Sequence, residues 1–152
     1  MKNHYGPRFR ILHWAMDQMI TDALAKMDLT AAQGHILGYI SHQQTPPCPR
    51  DIEEVFHLSH PTISGLLSRM EKKAFIEFRP DPADRRCKRI HLLPKGEQCM
   101  TALHEAIREI EQHVVEGFTP EEQAQFAALL SRAMDNLGAN QCKSNQKEES
   151  NP

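Results

Sequence analysis

The sequence predicts a mainly α fold with one small β-hairpin, an α+β arrangement within a single domain. Apolar residues recur at helical spacing through most of residues 9–138, whereas two short stretches, 75–79 and 87–93, alternate with period two. The chain has 152 residues, of which 39% are hydrophobic and 25% charged, as expected of a globular protein that buries one core.

Two helices are predicted in the first third of the chain. Residues 9–27 place apolar side chains on one helical face, namely Leu12, Ala15, Met16, Met19, Ile20, Ala23 and Met27. Thr30 can N-cap a second helix, because Gln33 stands three residues later at the capping-box position. Pro46 and Pro47 prevent this second helix from continuing.

A short helix, a tight turn and a longer helix are predicted next. The short helix covers residues 50–56, and residues 57–59 form the turn. In the longer helix, over 60–73, Ser59 is placed to act as the N-cap, and Pro61 is tolerated in the first turn. Its apolar face comprises Ile63, Leu66, Leu67, Met70 and Ala74.

The two alternating stretches flank a charged, proline-containing loop, so they are predicted to pair as a β-hairpin with a long tip. A long helix follows, from after Pro94 to about residue 117. Its apolar side chains recur at 3, 4, 3, 4 spacing, which is typical of a coiled-coil seam, and they are Met100, Leu103, Ile107, Ile110 and Val114.

A last helix is predicted to begin at a capping box formed by Thr119 and Glu122, with Pro120 at its first position. Gly138 is placed to end it, because glycine adopts the left-handed conformation that follows many helices. Residues 139–152 are polar and aperiodic, so they are predicted to be disordered.

The order of short helix, turn, second helix and charged hairpin predicts a winged helix-turn-helix over residues 29–95. Charge supports a nucleic-acid partner for this part. Although the formal net charge is −2, residues 58–95 carry nine Lys or Arg and four Asp or Glu, whereas residues 96–152 carry four and ten. A basic face can bind phosphates even when the rest of the protein is acidic. The alternative is that these charges cluster by chance.

The outward face of the helix over 60–73 is small and polar, as a helix in the major groove of double-stranded DNA requires. Its residues are Thr62, Ser64, Gly65, Ser68, Arg69 and Lys72. Ser59, His60 and Pro61 stand at the N-terminal end, where unpaired backbone N–H groups favour phosphate. The alternative is an ordinary solvated helix face.

The hairpin is rich in cations that can contact DNA, namely Arg79, Arg85, Arg86, Lys88 and Arg89. An arginine at such a tip can enter the minor groove, where the negative potential is strong. Asp81 and Asp84 would repel phosphates, so we expect them to hold the arginines through charge-assisted hydrogen bonds. The alternative is a solvated turn with weak surface ion pairs.

These motifs resemble the multiple-antibiotic-resistance regulator (MarR) family. Leu29-Thr-Ala-Ala-Gln33 is similar to its helix start, and residues 59–64 with 69–73 are similar to its recognition helix. Residues 81–86 with 92–96 are similar to its wing signature, the most specific of these motifs.

The resemblance covers residues 9–138 and implies a bacterial winged-helix homodimer in which residues 9–28 and 96–138 form an all-helical dimerisation part. It also implies that Arg86 is the minor-groove arginine. The chain departs from the family at four positions, where Ala83, Pro94, Ala74 and Gly65 replace the usual Arg, Thr, Gly and a larger polar residue.

Members of the family often respond to a small molecule, an oxidant or a metal. A small-molecule effector could be bound in a cleft between the two parts, lined by His13, Trp14, Met16, His35 and Tyr39, and plain interhelical core is the alternative. Cys87 stands among cations that favour the thiolate, which makes it a candidate redox site or an incidental cysteine. The nine histidines show no spacing typical of zinc, so we expect no metal and no cofactor.

The N-terminus has no signal-peptide pattern and no run of residues is long and apolar enough to span a membrane, so we expect a cytoplasmic protein with reduced cysteines. No nucleophile–base arrangement and no glycine-rich phosphate loop is present, which argues against an enzyme. The sequence therefore predicts a DNA-binding regulator, a repressor on a palindromic operator released by a small-molecule or redox signal. A winged-helix protein-interaction module without specific DNA binding is the alternative.

Overall fold

The computed structural model describes residues 4–138, and the tail predicted over 139–152 lies outside them. The described chain confirms the mainly α fold with one antiparallel hairpin. In chain order its elements are α1 (Tyr5–Lys26), α2 (Ala31–His42), α3 (Pro49–Phe56), α4 (His60–Lys72), β1 (Ile76–Pro80), β2 (Lys88–Leu92), α5 (Pro94–Val114) and α6 (Pro120–Asn136).

Both predicted capping boxes are confirmed. Thr30 Oγ1 accepts the Gln33 N–H at 3.2 Å, while Gln33 Oε1 accepts the Thr30 N–H at 3.1 Å. Thr119 and Glu122 exchange the same two bonds at 3.2 and 2.9 Å. These pairs satisfy donors that a helix leaves without intrahelical partners, so α2 and α6 begin at Ala31 and Pro120.

Two details of α4 differ from the prediction. Ser59 stands at the N-cap position, but its hydroxyl bonds the Thr62 hydroxyl at 2.9 Å and no backbone N–H. Ala74 is exposed and does not extend the apolar face, because the helix ends at Lys72 and Ala74 adopts a left-handed φ of 60°. Only glycine takes this conformation without a steric cost, so Ala74 carries local strain.

The core forms where α4, the hairpin and α2 pack together. Its fully buried members on α4 and β1 include Ile63, Leu67, Met70 and Ile76. Leu24 fills the core from α1, although the predicted stripe of that helix did not contain it, and it lies against Gly34 of α2.

The predicted seam of α5 is also corrected by the structure. Met100 and Leu103 are buried in the core of their own chain, with Ile107 packed against it. Many of the large exposed apolar side chains stand on α1 (Phe9, Ile11, Leu12, Trp14, Met19) and on α6 (Leu129, Leu130), while others, such as Val55 and Leu58, lie near the turn between α3 and α4. The described chain divides into two compact units at Ile110, and in the second unit Phe118 packs edge-on against Phe126 at 5.8 Å.

The hairpin pairs Ile76 with Leu92 and Phe78 with Ile90. Its second strand has a further neighbour, because the Ile90 N–H donates to the Pro47 carbonyl at 2.8 Å. Pro46 and Pro47, which the sequence predicts only to end α2, therefore also connect β2 to the start of α3.

None of the helices within residues 4–138 has the length and the apolar character that a membrane-spanning helix requires.

Candidate nucleic-acid interface

The predicted outward face of α4 is exposed in the structure. Thr62, Ser64, Arg69 and Lys72 are exposed, and Gly65 and Ser68, which complete the face, are half-buried. Since Ile63, Leu66, Leu67 and Met70 bury the opposite face, α4 is fixed on the domain by one side and presents donors and acceptors on the other.

The N-terminal end of α4 is tied to α3. His60 Nδ1 lies 2.6 Å from Glu53 Oε1, and this contact joins the two helices of the helix-turn-helix. Between them His57 adopts a left-handed φ of 52°, which makes the turn tight. Pro61 occupies the first turn of α4, where its missing N–H costs no hydrogen bond.

Arg89 anchors the wing, the segment from Ile76 to Leu92. Its Nε donates to Asp81 Oδ2 at 2.7 Å, and its Nη1 donates to the Pro46 carbonyl at 3.2 Å. Asp81 also accepts the Ala83 N–H at 2.8 Å. The Ala83 N–H and then the Arg89 guanidinium hold the pKa of Asp81 below its ordinary value, and Asp81 raises the pKa of Arg89.

The remaining wing charges divide into paired and free groups. Asp84 accepts the backbone N–H of Arg86 at 3.0 Å, so it shapes the tip and does not hold a guanidinium. Arg79 pairs with Glu77 on the same strand. Arg85, Arg86 and Lys88 are exposed, and their side chains have no ion pair within residues 4–138.

A cleft of about 590 Å³ connects the wing to the helix-turn-helix. His60 and Glu53 stand on the helical side, and Arg86, Cys87 and Lys88 on the wing side. The two parts predicted to contact DNA therefore share one concave surface. Sequence reasoning assigned no role to Glu53 and grouped Arg89 with the cations that can contact DNA, because the partners of these two side chains stand seven to forty-three residues away along the chain.

The predicted effector residues differ in their burial. His13, Trp14 and His35 are exposed, and Met16 is half-buried. Tyr39 packs edge-on against Phe56 with ring centroids 5.9 Å apart, and burial raises its pKa. No cluster of three or more metal-ligating side chains occurs among residues 4–138.

The cysteines differ in their surroundings. Cys87 is half-buried at the cleft, and its backbone N–H donates to the Asp84 carbonyl at 2.9 Å. Burial is the main cause that raises the pKa of Cys48 and Cys99, which keeps those thiols neutral. Cys87, at the cleft beside Arg86 and Lys88, stays the predicted redox residue.

Comparison with known proteins gives consistent results. A sequence profile of the MarR family matches residues 27–86. The chain is 40% identical over 76 residues to the uncharacterized HTH-type transcriptional regulator YsmB of Bacillus subtilis (strain 168), a match that covers 50% of this chain and 52% of YsmB. The chain thus spans about half the length of this curated relative.

Solved structures match over a longer span. MepR, a transcription regulator of the Staphylococcus aureus multidrug efflux pump MepA, is 33% identical with a TM-score of 0.81, covering 88% of this chain and 98% of MepR. The S. aureus MepR–DNA complex is 34% identical with a TM-score of 0.73, covering 85% and 96%. Both similar proteins, YsmB and MepR, are transcriptional regulators.

Proposed function

This chain belongs to the MarR family, and on that premise we propose that it is a sequence-specific DNA-binding transcriptional regulator. The observation that carries the proposal is a set of five basic side chains without ion pairs inside the described chain, exposed along α4 and the wing. They are Arg69, Lys72, Arg85, Arg86 and Lys88. Cations of this kind bind phosphates, while the hydroxyls of Thr62 and Ser64 can bond base edges.

The protein acts as a homodimer on a palindromic operator, where it represses transcription. Exposed apolar side chains on α1 and on α6 support the presence of a second copy, because in a monomer they would stay in unfavourable contact with water. Trp14 alone leaves 66% of its surface exposed. A two-fold dimer presents two copies of α4 to half-sites about one helical turn apart.

Selection from random DNA duplexes, followed by affinity measurements at several salt concentrations, tests the proposal. Two copies of the five free cations set an upper limit of about ten phosphate contacts, so we expect a slope of log affinity against log salt of roughly −4 to −8. Arg86→Ala should reduce the magnitude of this slope, whereas Lys26→Ala, which removes an exposed cation from α1, should not. A slope near zero without a selected sequence would instead support the protein-interaction module.

A small molecule or an oxidant releases the DNA in this proposal. A small-molecule signal is supported by the similarity to MepR, because MepR regulates a pump that exports drugs. Cys87 supports a redox signal, because it lines the cleft beside Arg86 and Lys88, where an oxidised sulfur would disturb both. A thiol oxidant should weaken DNA binding in the wild type and leave Cys87→Ser unaffected; equal weakening of both proteins would exclude Cys87 as the sensor.

A further inference from the structure

His60 presents one edge of its imidazole ring to solvent and the other to α3. It is the first residue of α4, and its side chain is 74% exposed. Glu53 of α3 is only 22% exposed, and its Oε1 lies 2.6 Å from His60 Nδ1. No hydrogen bond from the rest of residues 4–138 reaches Nε2, on the far side of the ring.

The chemistry of this pair sets the tautomer of the neutral ring. An ionised carboxylate offers only hydrogen-bond acceptors, so the hydrogen of the 2.6 Å contact belongs to Nδ1. In the neutral imidazole the other nitrogen, Nε2, is then an acceptor. The neutral ring held in this way can accept a hydrogen bond from a donor but has none to give at Nε2, whereas a ring protonated on both nitrogens would donate there.

The geometry points to Glu53 as a positioning residue for base recognition, and we propose that it holds His60 as the Nδ1–H tautomer so that Nε2 accepts a hydrogen bond from the DNA. The complementary groups in the major groove are the exocyclic amino groups of adenine and cytosine, since guanine N7 and O6 and thymine O4 are acceptors. This inference rests on the proposed DNA-binding function and assigns a base preference to one position of each half-site.

Glu53 itself is poorly suited to touch DNA. Its carboxylate lines the same cleft as Arg86 and Lys88, where a phosphate would be repelled by a bare negative charge. The His60 ring covers one oxygen of that carboxylate through the 2.6 Å contact. Removing the ring therefore does two things, because it deletes an acceptor and it uncovers a charge.

The test compares Glu53→Gln with a matched control on the neighbouring residue. A glutamine can accept from or donate to Nδ1, so the variant permits either tautomer. Glu54→Gln removes the same charge from α3, but Glu54 pairs with Arg50 at 3.1 Å and does not touch His60. Each protein is subjected to selection from random duplexes, followed by affinity measurements on single-base operator variants.

We expect the wild type and Glu54→Gln to prefer adenine or cytosine at one position of each half-site. In Glu53→Gln the ratio of affinities for the preferred base over the others should fall by about fivefold to tenfold, because one hydrogen bond provides discrimination of this size. His60→Ala should bind more weakly than the double variant Glu53→Gln/His60→Ala, because only the single variant leaves the carboxylate uncovered.

Long-range proton–nitrogen NMR spectra of the free protein provide a readout that needs no DNA. The wild type and Glu54→Gln should show His60 with its proton on Nδ1, and Glu53→Gln should show a mixture of tautomers. A wild-type ring that carries a proton on Nε2, alone or together with one on Nδ1, would overturn the inference, as would a Glu53→Gln variant with unchanged base preference. If the wild type selects no sequence, both the proposed function and this inference fail. If the wild type selects a sequence and Glu53→Gln leaves the base preference unchanged, only this inference fails.

Discussion

Gly65 stands in the middle of α4, where glycine is unfavourable. The position has ordinary helical geometry, and a Cβ added there would meet no heavy atom within 4 Å. Glycine within a helix costs about 0.5–1 kcal/mol relative to alanine, because its backbone loses more freedom on folding. Gly65→Ala should therefore raise the free energy of unfolding by up to about 1 kcal/mol and the Tm by roughly 2–4 °C.

Gly96 provides the matched control for that substitution. It is also helical, but a Cβ there would lie 2.4 Å from the Phe75 carbonyl oxygen, which already accepts the Leu93 N–H at 3.0 Å. Since that oxygen belongs to the backbone, Gly96→Ala should lower the free energy of unfolding by about 1–3 kcal/mol. Chemical denaturation of both variants measures the two changes with opposite expected signs.

The same Gly65 variant also tests whether α4 faces the bases. The added methyl group lies on the exposed face beside Ser64, so it should change the preferred bases, with a gain where a thymine methyl can contact it. A Gly65→Ala protein that is less stable than the wild type would refute the argument from open space. A more stable variant with identical DNA preference would show that Gly65 does not face the bases.

Arg86→Ala should cost about 1–3 kcal/mol of DNA-binding free energy per subunit, mainly on A·T-rich flanks, and unchanged binding to a set of flank variants would mean that the wing does not touch DNA. Asp81, whose pKa is lowered in the folded protein, should stabilise the wing at neutral pH and lose this effect as the pH falls through that lowered value, below its ordinary value of about 3.9. The Ala83 amide signal in NMR should report this loss, and Asp81→Asn should abolish the pH dependence. Deletion of residues 121–152 should remove dimerisation and operator binding together, and sedimentation of a truncated dimer would contradict this.

The parts of the fold that sequence could predict depend on residues close together in the chain. Thr30 with Gln33, and Thr119 with Glu122, are three residues apart, so their geometry follows from one helical turn. Period-two alternation predicted both strands of the hairpin to within a residue or two. Local spacing therefore determined element type and most boundaries.

Contacts between distant residues could not be predicted in this way. Arg89 bonds the Pro46 carbonyl across forty-three residues, and that contact gives this half-buried arginine a structural role among the five hairpin cations. From the sequence alone, Arg89 and Arg86 are equal candidates for contact with DNA, because both are arginines of one basic hairpin. Only the packing of the loop before α3 against β2 separates the anchor from the exposed cations.

The apolar stripe of α5 shows the same limit and bears directly on the dimer. Periodicity establishes that Met100 and Leu103 share a face, but it does not establish whether the same chain or a second copy covers them. In the structure their own chain covers them, so this part of the stripe supplies no argument for dimerisation. The argument must come from side chains that remain exposed after the core is complete, such as Trp14 and Leu129. The argument for a second copy therefore depends on the exposed side chains of α1 and α6. Substitutions of these side chains can change the oligomeric state without disrupting the core, whereas substitutions at Met100 or Leu103 cannot.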